Sequence, residues 1–205
     1  MELPQIIFED DVLLAFDKPS DLPVVPAKGA SHGDCLQGLV REKYGRAVTA
    51  VQRMDAETSG VSLWAKTKLA LDFSSGQFQS KSARQHYQAF VVMEEEGEAL
   101  MEFPPIRDAS GRLPETFLVE HFLGPDTVNK NLMRAFARNG GQPAQTEFRV
   151  MENFGGYALV DCFPQTNRRH QVRAHLAVAG APILNDALYG DARKQLRLSD
   201  IKRGY

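Results

Sequence analysis

Short apolar segments of strand length constrain the fold of this chain more than any other feature. HYQAFVV, TEFRVME and GYALVDCFP, at residues 86–92, 146–152 and 156–164, are rich in the aromatic and β-branched residues that favour half-buried strands. GVSLWAK (60–66) and VLLAF (12–16) have the same character. Because most of these segments are joined by short turns, the pattern favours antiparallel pairing over a doubly wound parallel sheet.

Three further segments have the spacing of an amphipathic helix. CLQGLVREKYG, KLALDFSSGQFQS and RRHQVRAHLAVAG begin at residues 35, 68 and 168, and the first and third end at a glycine suited to capping a helix. The residues predicted to face the core are Leu36, Leu39, Val40, Tyr44, Leu69, Phe73, Phe78, Val172, Leu176 and Ala179. The elements together predict an α+β fold with a mixed, mostly antiparallel sheet flanked by helices.

The composition excludes several classes of protein. A chain of 205 residues that is 43% hydrophobic can bury one substantial core. No apolar run approaches the length of a membrane span, and MELPQIIFED lacks the basic start of a secretory signal. Cys35 and Cys162 are far apart and have no companion spacing, which argues against both a disulfide framework and a zinc site. We expect a reduced, cytoplasmic protein without a membrane partner.

The net charge of −2 conceals an uneven distribution. Residues 92–125 are mainly acidic, whereas residues 41–86 and 165–205 are mainly basic. The acidic residues of the first stretch are Glu94, Glu95, Glu96, Glu98, Glu102, Asp108, Glu115 and Glu120. The basic residues of the last stretch are Arg168, Arg169, Arg173, Arg193, Lys194, Arg197, Lys202 and Arg203. This pattern argues against a simple electrostatic nucleic-acid binder and permits a polyanion on one face only.

The common catalytic motifs are not supported. NGGQP (139–143) lacks the context and the Lys-Ser/Thr of a phosphate-binding loop, and the chain has no G-x-S-x-G motif. His170 and His175 are five residues apart, so they do not share a helix face as two zinc ligands would. Asp55 and Glu57 could supply the carboxylate pair of a glycoside hydrolase, but sequence does not set their separation.

Arg53 and Asp55 lie in VQRMDAETSG (51–60), immediately before a buried strand segment. Catalytic residues are often carried by loops on a rigid scaffold. A carboxylate near an arginine is expected to stay ionised, as suits a nucleophile or a base. An isolated Arg-x-Asp pair is nevertheless more often an ordinary loop ion pair. The pair alone therefore leaves both interpretations open.

Three separated segments resemble the RluA-type pseudouridine synthases. RMDAETSGVSLWAKT (53–67) resembles the signature His-Arg-Leu-Asp-x-x-Thr-Ser-Gly with its apolar continuation, and QHYQAFV (85–91) resembles the strand Lys-x-Tyr-x-Ala-x-Val. QTNRRHQVRAHLAVAGAPILNDALYG (165–190) resembles Thr-Gly-Arg-x-His-Gln-Ile-Arg-x-His-Leu and its continuation to Tyr-Gly. LLAFDKPSDLPVVP (13–26) and GQPAQTEFRVME (141–152) match weaker flanking patterns. The order is that of the family, which makes chance a poor explanation.

The chain departs from the family pattern at a few positions. Gln52 replaces the family's His, Met54 replaces Leu, and Gln85 replaces Lys. Asn167 and Asn185 replace glycines, and Arg169 replaces Thr or Ser. The two asparagines are mild changes, because Asn tolerates positive φ well. None of the departures removes the aspartate, the tyrosine or the helix arginine.

The resemblance implies one catalytic domain over residues 1–205 with a central active-site cleft. It also leads us to expect no S4-like RNA-binding domain, because the catalytic pattern begins at about residue 12. The chain ends at LSDIKRGY, before the closing strand segment of the family, so we expect that segment to be missing.

The family's catalytic residues carry over to Asp55, Tyr87 and Arg173. Asp55 would be the essential carboxylate, which attacks the base or the ribose or removes a ribose proton. Arg173 would hold Asp55 ionised and correctly aimed, although without the family it would be taken as a helix-surface arginine. Tyr87 would stack on the base and is a candidate proton acceptor, whereas a tyrosine in such a strand is more often a core residue.

The family's RNA contacts carry over to Arg53, Thr58, Arg168 and His170. Arg53 would fill the space left by a flipped uridine, and a phosphate clamp is an equally acceptable role for it. For Arg168 and His170 the alternative is a solvated helix start.

The implied function is isomerisation of a specific uridine to pseudouridine in structured ribosomal or transfer RNA, by a monomer without metal or cofactor. Two alternatives from other classes remain. A catalytically inactive RNA-binding protein would not need Asp55. A nucleoside or glycoside hydrolase using Asp55 would need a second carboxylate that activates water, and it would release a free base.

Overall fold

The apolar segments form strands as their composition predicts. The computed structural model describes residues 1–26, 32–93 and 103–190, and its backbone divides into two units, Met1–Arg84 and Gln85–Tyr205. Among the described residues, each unit has its own sheet, with two α-helices in the first unit and one in the second, so the predicted α+β class is confirmed. The assignment of both units to one catalytic domain stays a prediction.

Some residues of the sequence analysis lie outside the described ranges. They are Glu94, Glu95, Glu96, Glu98 and Glu102 of the acidic stretch and Arg193, Lys194, Arg197, Lys202 and Arg203 of the basic stretch. The last eight residues of the chain, LSDIKRGY, also lie outside the described ranges. Statements about the position of charges in the structure therefore refer to the described residues alone.

The first unit contains a four-stranded antiparallel sheet in the order β1-β2-β4-β3. Its elements are β1 (Ile6–Glu9), β2 (Leu13–Lys18), a 3-10 turn (His32–Asp34), α1 (Leu36–Tyr44), β3 (Thr49–Ala50), β4 (Gly60–Ala65) and α2 (Lys68–Gln79). The two central strands bury Phe16 and Trp64, whose rings meet edge to face with centroids 6.2 Å apart. Leu36 and Val40 of α1 pack into the same core, as predicted.

The orientation predicted for α2 is wrong. Leu69 and Phe73, which were expected to face the core, are 82% and 68% exposed. The buried position of this helix is Ser74, and Leu71 and Phe78 on the same face are half-buried. Residues 71, 74 and 78 follow the i, i+3, i+7 spacing of one helix face, and residues 69 and 73 lie on another. Side-chain size does not distinguish the two faces, because each carries a leucine and a phenylalanine.

The second unit contains a five-stranded antiparallel sheet in the order β5-β9-β8-β6-β7. Its elements are β5 (Tyr87–Val92), β6 (Thr116–Pro125), β7 (Met133–Phe136), β8 (Gln142–Asn153), β9 (Tyr157–Pro164) and α3 (Gln171–Val178). β5, β8 and β9 correspond to predicted segments. Across the described residues of both units, the paired strands all run antiparallel.

Three glycines let the chain cross its own sheet between β7 and β8. β7 pairs with one edge of β6 and β8 with the other, so residues 137–141 must pass over β6. At Gly124 of β6, a β-carbon would lie 2.0 Å from the carbonyl oxygen of Gly140. At Gly141 it would lie 2.3 Å from the carbonyl of Leu123. The glycines of NGGQP are thus explained by backbone packing rather than by phosphate binding.

α3 packs against β7, β8 and β9 and is buried on almost every side. Leu176 and Ala179 are fully buried, as predicted, while Val172 is only half-buried against the core. The helix ends at Val178, and Gly180 follows with φ of 71°. Because the helix has little exposed surface, its polar side chains need partners inside the protein. None of the helices in the described ranges is long and apolar enough to cross a membrane.

Candidate active site

The loop between β3 and β4 carries three of the predicted site residues. The backbone oxygen of Asp55 accepts a hydrogen bond from the Thr58 N–H at 3.2 Å, which closes a tight turn. The Asp55 and Thr58 side chains are half-buried, and Arg53 is exposed. Because Arg53 is exposed, its side chain can contact a large ligand. The half-buried Asp55 side chain has fewer orientations open to it.

Lys18, at the end of β2, anchors the Asp55 turn from inside the first unit. Its side chain is fully buried. The Nζ ammonium donates hydrogen bonds of 2.9 Å to the backbone oxygens of Pro19, Leu22 and Ala56. Ala56 directly follows Asp55, so one ammonium ties the turn to the loop after β2. Three donors meeting three acceptors satisfy the group, which is what permits a lysine to be buried.

Lys18 also places a positive charge near the candidate nucleophile. Burial lowers the pKa of Lys18, and the carboxylates of Glu57, Asp21 and Asp55 act in the opposite direction by favouring the charged ammonium. The cationic partners predicted for Asp55 are all arginines and do not include this lysine. The available signal was the DKP sequence at the end of a buried strand, inside a segment that already matched the family pattern.

We expect Lys18→Met to weaken both stability and activity. The substitution keeps the apolar stem but leaves three buried or partly buried carbonyls without their donor, which costs about 2 kcal/mol or more in free energy of unfolding. The Asp55 turn then loses its anchor, so any reaction that depends on the Asp55 carboxylate slows even at temperatures where the variant is folded. Thermal unfolding and single-turnover assays check the two effects.

Lys66→Met is the matched control. Lys66 is half-buried in the same unit, where it pairs with Glu9 and donates to the Asp10 backbone oxygen, so it is a lysine with comparable contacts outside the Asp55 turn. Equal effects of the two substitutions on activity would contradict the anchoring role of Lys18.

In the second unit, Arg173 forms a buried, two-pronged ion pair with Asp186. The Nε and Nη2 atoms of Arg173 donate to Oδ2 and Oδ1 of Asp186 at 2.7 and 2.9 Å. Arg173 is only 7% exposed, so the interpretation of a helix-surface arginine is wrong. Two parallel hydrogen bonds fix the plane of the guanidinium, which suits a residue whose remaining donors must point in a set direction. The pairing of Arg173 with Asp55 stays a prediction.

Asp186 is held by more than its arginine. Its Oδ1 accepts from the backbone N–H groups of Leu188 and Tyr189, at 2.9 and 3.1 Å. Burial raises the pKa of Asp186, but these hydrogen bonds and the charge of Arg173 outweigh burial and leave the pKa below its ordinary value. The preceding residue, Asn185, has φ of 62°, so asparagine replaces the family glycine in the conformation expected for it.

Tyr189 joins Arg173 to the start of α3. The guanidinium carbon of Arg173 lies 5.4 Å from the centre of the Tyr189 ring, and the Tyr189 hydroxyl lies 3.1 Å from Nδ1 of His170. Burial raises the pKa of Tyr189 to about 12, so the hydroxyl stays protonated near neutral pH. Asp186 and Tyr189 are both in the matched stretch LNDALYG, but no local pattern there predicts a role for either residue.

The start of α3 has an unusual backbone that Gln171 stabilises. His170 precedes the helix with φ of 52° and ψ of 23°, a left-handed conformation that is costly for a side chain other than glycine. The buried Gln171 carboxamide accepts from the Arg168 N–H at 3.1 Å and donates to Oγ1 of Thr146 at 2.9 Å. Arg168, half-buried, donates through Nε to the Pro143 oxygen. The predicted RNA contacts at Arg168 and His170 are thus held in place by a buried amide.

Tyr87 begins β5, where it pairs with Cys162 of β9. Its side chain is half-buried and packs against the core of the second unit beside Ala89 and Val91. The position agrees with the core residue that a tyrosine in such a strand more often is. Its role as a base-stacking residue stays a prediction.

The buried histidine of α3 has a structural environment. Nδ1 of His175 lies 2.8 Å from Oγ1 of Thr146. Burial, with a further contribution from His121, lowers the pKa of His175 to about 3, so its imidazole is neutral. Within the described ranges, no group of three or more His, Cys, Asp or Glu side chains is arranged to hold a metal ion.

Comparison with known proteins gives a consistent result. The family model for RNA pseudouridylate synthases matches residues 12–178. The chain is 33% identical over 190 residues to the ribosomal large subunit pseudouridine synthase D of Nitrosomonas europaea, covering 91% of this chain and 49% of that protein. It is 32% identical over 196 residues to the dual-specificity RNA pseudouridine synthase RluA of Vibrio vulnificus, covering 92% of this chain and 70% of that protein.

Among solved structures, the human RNA pseudouridylate synthase domain containing 1 superposes with a TM-score of 0.71 at 19% identity, covering 94% of this chain and 72% of that one. At this identity the likeness shows the fold. The chain spans about half the length of the synthase D relatives that it matches. The family match, the relatives and the fold agree that this chain belongs to the RNA pseudouridylate synthase family, in its RluA-type branch.

Proposed function

We propose that this protein isomerises a uridine to pseudouridine in structured RNA, with Asp55 as the essential carboxylate. The observation that carries the proposal is the anchoring of the Asp55 turn by the buried Lys18 ammonium, within the signature of the family. A loop that merely connected two strands would not need a buried charge to fix its backbone. The names of the relatives specify ribosomal large-subunit RNA and a dual-specificity enzyme, and we propose ribosomal or transfer RNA as the substrate here.

The proposed chemistry follows from the nature of the substrate. A stacked uridine must leave the helix before a side chain can reach it, at a cost of a few kcal/mol. Arg53, exposed on the Asp55 loop, is proposed to occupy the vacated space or to clamp a phosphate. Asp55 then attacks the base or the ribose, or removes a ribose proton, which frees the base to rotate and rejoin through carbon. Thr58 closes the turn beneath Asp55 through its backbone N–H.

We also propose roles for the predicted site residues of the second unit. Tyr87 is proposed to stack on the base, and Arg173 to act as a catalytic arginine whose plane is set by Asp186. Arg168 and His170 are proposed to contact RNA.

We also propose that the protein acts as a cytoplasmic monomer and needs neither metal nor cofactor, because isomerisation adds and removes no atoms or electrons. The proposed chemistry therefore makes no demand on a redox or group-carrying cofactor.

The test of this proposal is a comparison of pseudouridines in total RNA from cells with and without the gene. We expect one or a few positions to lose pseudouridine, and a stem-loop that contains such a position to be modified by the purified protein. An unstructured oligouridine should react poorly, because specificity comes from a folded RNA that presents a flippable base. If no position changes and no stem-loop reacts, the chain is a binding protein rather than an enzyme. Release of free uracil would instead indicate a hydrolase.

A further inference from the structure

We propose that a basic platform in the second unit, formed by residues 126–134 and 165–171, binds phosphates of the RNA substrate outside the modified nucleotide. This inference rests on the proposed function, since RNA is the partner. Residues 126–134 include the loop between β6 and β7, and residues 165–171 lead into α3. The family resemblance assigned RNA contacts only to Arg168 and His170 in this region. The role of the β6–β7 loop and of Arg169 is therefore additional.

The platform has a marked excess of positive charge. Its cations are Lys130, Arg134, Arg168 and Arg169, and its single carboxylate is Asp126. Lys130 and Arg169 are exposed. The chain as a whole has a net charge of −2, so this local excess is not a reflection of the composition. Four cations against one carboxylate fit a polyanion.

Arg169 connects the two segments directly. Its Nη1 and Nη2 atoms donate to the backbone oxygens of Lys130 and Asn131, at 3.5 and 3.2 Å. Arginine stands here where the family usually has Thr or Ser, which are too short to make this link. A guanidinium has five N–H groups, so further N–H groups remain that can donate hydrogen bonds to a phosphate. The contact is thus a property of this chain rather than of the family pattern.

The β6–β7 loop is itself held in one shape. Oδ1 of Asp126 accepts from the N–H groups of Val128 and Asn129, at 2.8 and 2.7 Å. Nζ of Lys130 donates to the Thr127 oxygen at 2.8 Å, and Arg134 lies 3.8 Å from Asp126. Asp126 therefore serves mainly to shape the loop. A loop fixed in this way presents Lys130 without a large loss of backbone entropy on binding.

Tyr189 provides a second connection beneath the platform. Its hydroxyl accepts from the Met133 N–H at 2.7 Å, donates to the Met133 oxygen at 3.3 Å and lies 3.1 Å from Nδ1 of His170. The start of β7 and the start of α3 are thereby joined through one buried side chain. Two independent links make the four cations part of one preorganised surface rather than separate mobile side chains.

The test is the salt dependence of RNA affinity. A fluorescently labelled RNA stem-loop with one loop uridine and an extended double-stranded stem is titrated with the parent and with Lys130→Gln/Arg169→Gln at several salt concentrations. Each lost phosphate contact lowers the slope of log K against log salt by about 0.9, so we expect the slope to fall by about 1.8. The loss should fall on affinity far more than on the single-turnover rate at saturating RNA.

Two further variants make the result decisive. Lys130→Gln alone keeps the backbone oxygens that Arg169 binds, and it should lower the slope by about 0.9. Arg112→Gln/Arg138→Gln removes two exposed cations of the second unit outside the platform and should leave the slope unchanged. An equal fall in this control, or no fall with the platform variants, would overturn the proposal. A parent protein that forms no pseudouridine in any RNA would refute the proposed function instead.

Discussion

Asp55→Asn should abolish pseudouridine formation while leaving the fold intact. The amide is nearly the same size as the carboxylate, and the turn is closed by the backbone oxygen of Asp55, which the substitution does not alter. A neutral amide can neither attack the substrate nor accept a proton at neutral pH. Release of tritium from RNA labelled at carbon 5 of uridine measures activity, and the thermal midpoint monitors folding. We expect activity at the background of the assay and an unchanged midpoint.

Glu57→Gln, two residues along the same turn, is the matched control. The Glu57 backbone oxygen accepts from the Ser20 hydroxyl, and its side chain is exposed. A synthase that depends on one carboxylate should retain most of its activity in this variant, whereas a hydrolase that used Asp55 with Glu57 should not. Asp55→Asn activity within about tenfold of the parent would refute the assignment of Asp55.

The second large effect is expected on stability. Asp186→Asn should lower the free energy of unfolding by about 3 kcal/mol, because it neutralises the carboxylate that forms two hydrogen bonds with the buried guanidinium of Arg173. The amide oxygen can still accept from the backbone at Leu188 and Tyr189, which keeps the loss at the lower end for a broken buried pair. For a chain of this length the thermal midpoint should fall by about 6–12 °C.

The pH dependence of this effect has a definite sign. Because the pKa of Asp186 is lower in the folded protein than its ordinary value of 3.8, the carboxylate contributes stability at pH values above 3.8. That contribution is lost as the pH falls through the folded-state pKa. The difference in stability between the parent and Asp186→Asn should therefore be full near pH 7 and shrink below about pH 4. Chemical denaturation at a series of pH values measures it.

Glu152→Gln is the control for this prediction, because Glu152 is an exposed carboxylate of the same unit. An exposed substitution of this kind usually changes stability by no more than about 0.5 kcal/mol. If Asp186→Asn at pH 7 were no more destabilising than Glu152→Gln, the Arg173–Asp186 pair would have no net stabilising role.

The sequence predicted the elements that have a strong local pattern. β2, β4, β5, β8, β9 and the three helices lie where apolar runs or helical spacing placed them. β6 was missed, although Phe117, Val119 and Leu123 alternate on its buried face. The alternation is interrupted by the apolar residues Leu118 and Phe122 on the other face, so the stretch does not show a strict strand periodicity. Its pairing with both β7 and β8 depends on the glycine crossing, a tertiary feature with no local signal.

The helix faces show the limit of local patterns. For α1 the apolar stripe is the buried stripe. For α2 each of two faces carries a leucine and a phenylalanine, and Leu69 and Phe73 are the exposed pair, because packing and not hydrophobicity alone sets the rotation of a short helix. In α3, polar residues do not mark a solvent-exposed face, because most of the helix is buried.

The site was predicted as a set of residue types rather than as a set of contacts. The family pattern identified Asp55, Arg53, Thr58, Tyr87, Arg168, His170 and Arg173. It did not identify Lys18 or Asp186, which fix the Asp55 turn and the Arg173 side chain. Lys18 and Asp186 are 37 and 13 residues from Asp55 and Arg173 respectively. Supporting contacts of this kind arise only when the chain is folded, so spacing in the sequence does not reveal them.

The way in which Lys18 holds the Asp55 turn has a consequence for which positions of the turn tolerate substitution. All three hydrogen bonds of its ammonium end on main-chain oxygens, at Pro19, Leu22 and Ala56. A main-chain oxygen is present whatever side chain the residue carries. Substitutions at exposed positions of the turn, such as Glu57, can therefore accumulate without loosening the attachment of Asp55. Natural drift or a randomised library could therefore vary the exposed residues of this turn, and with them any RNA contact proposed there, while Asp55 keeps its place.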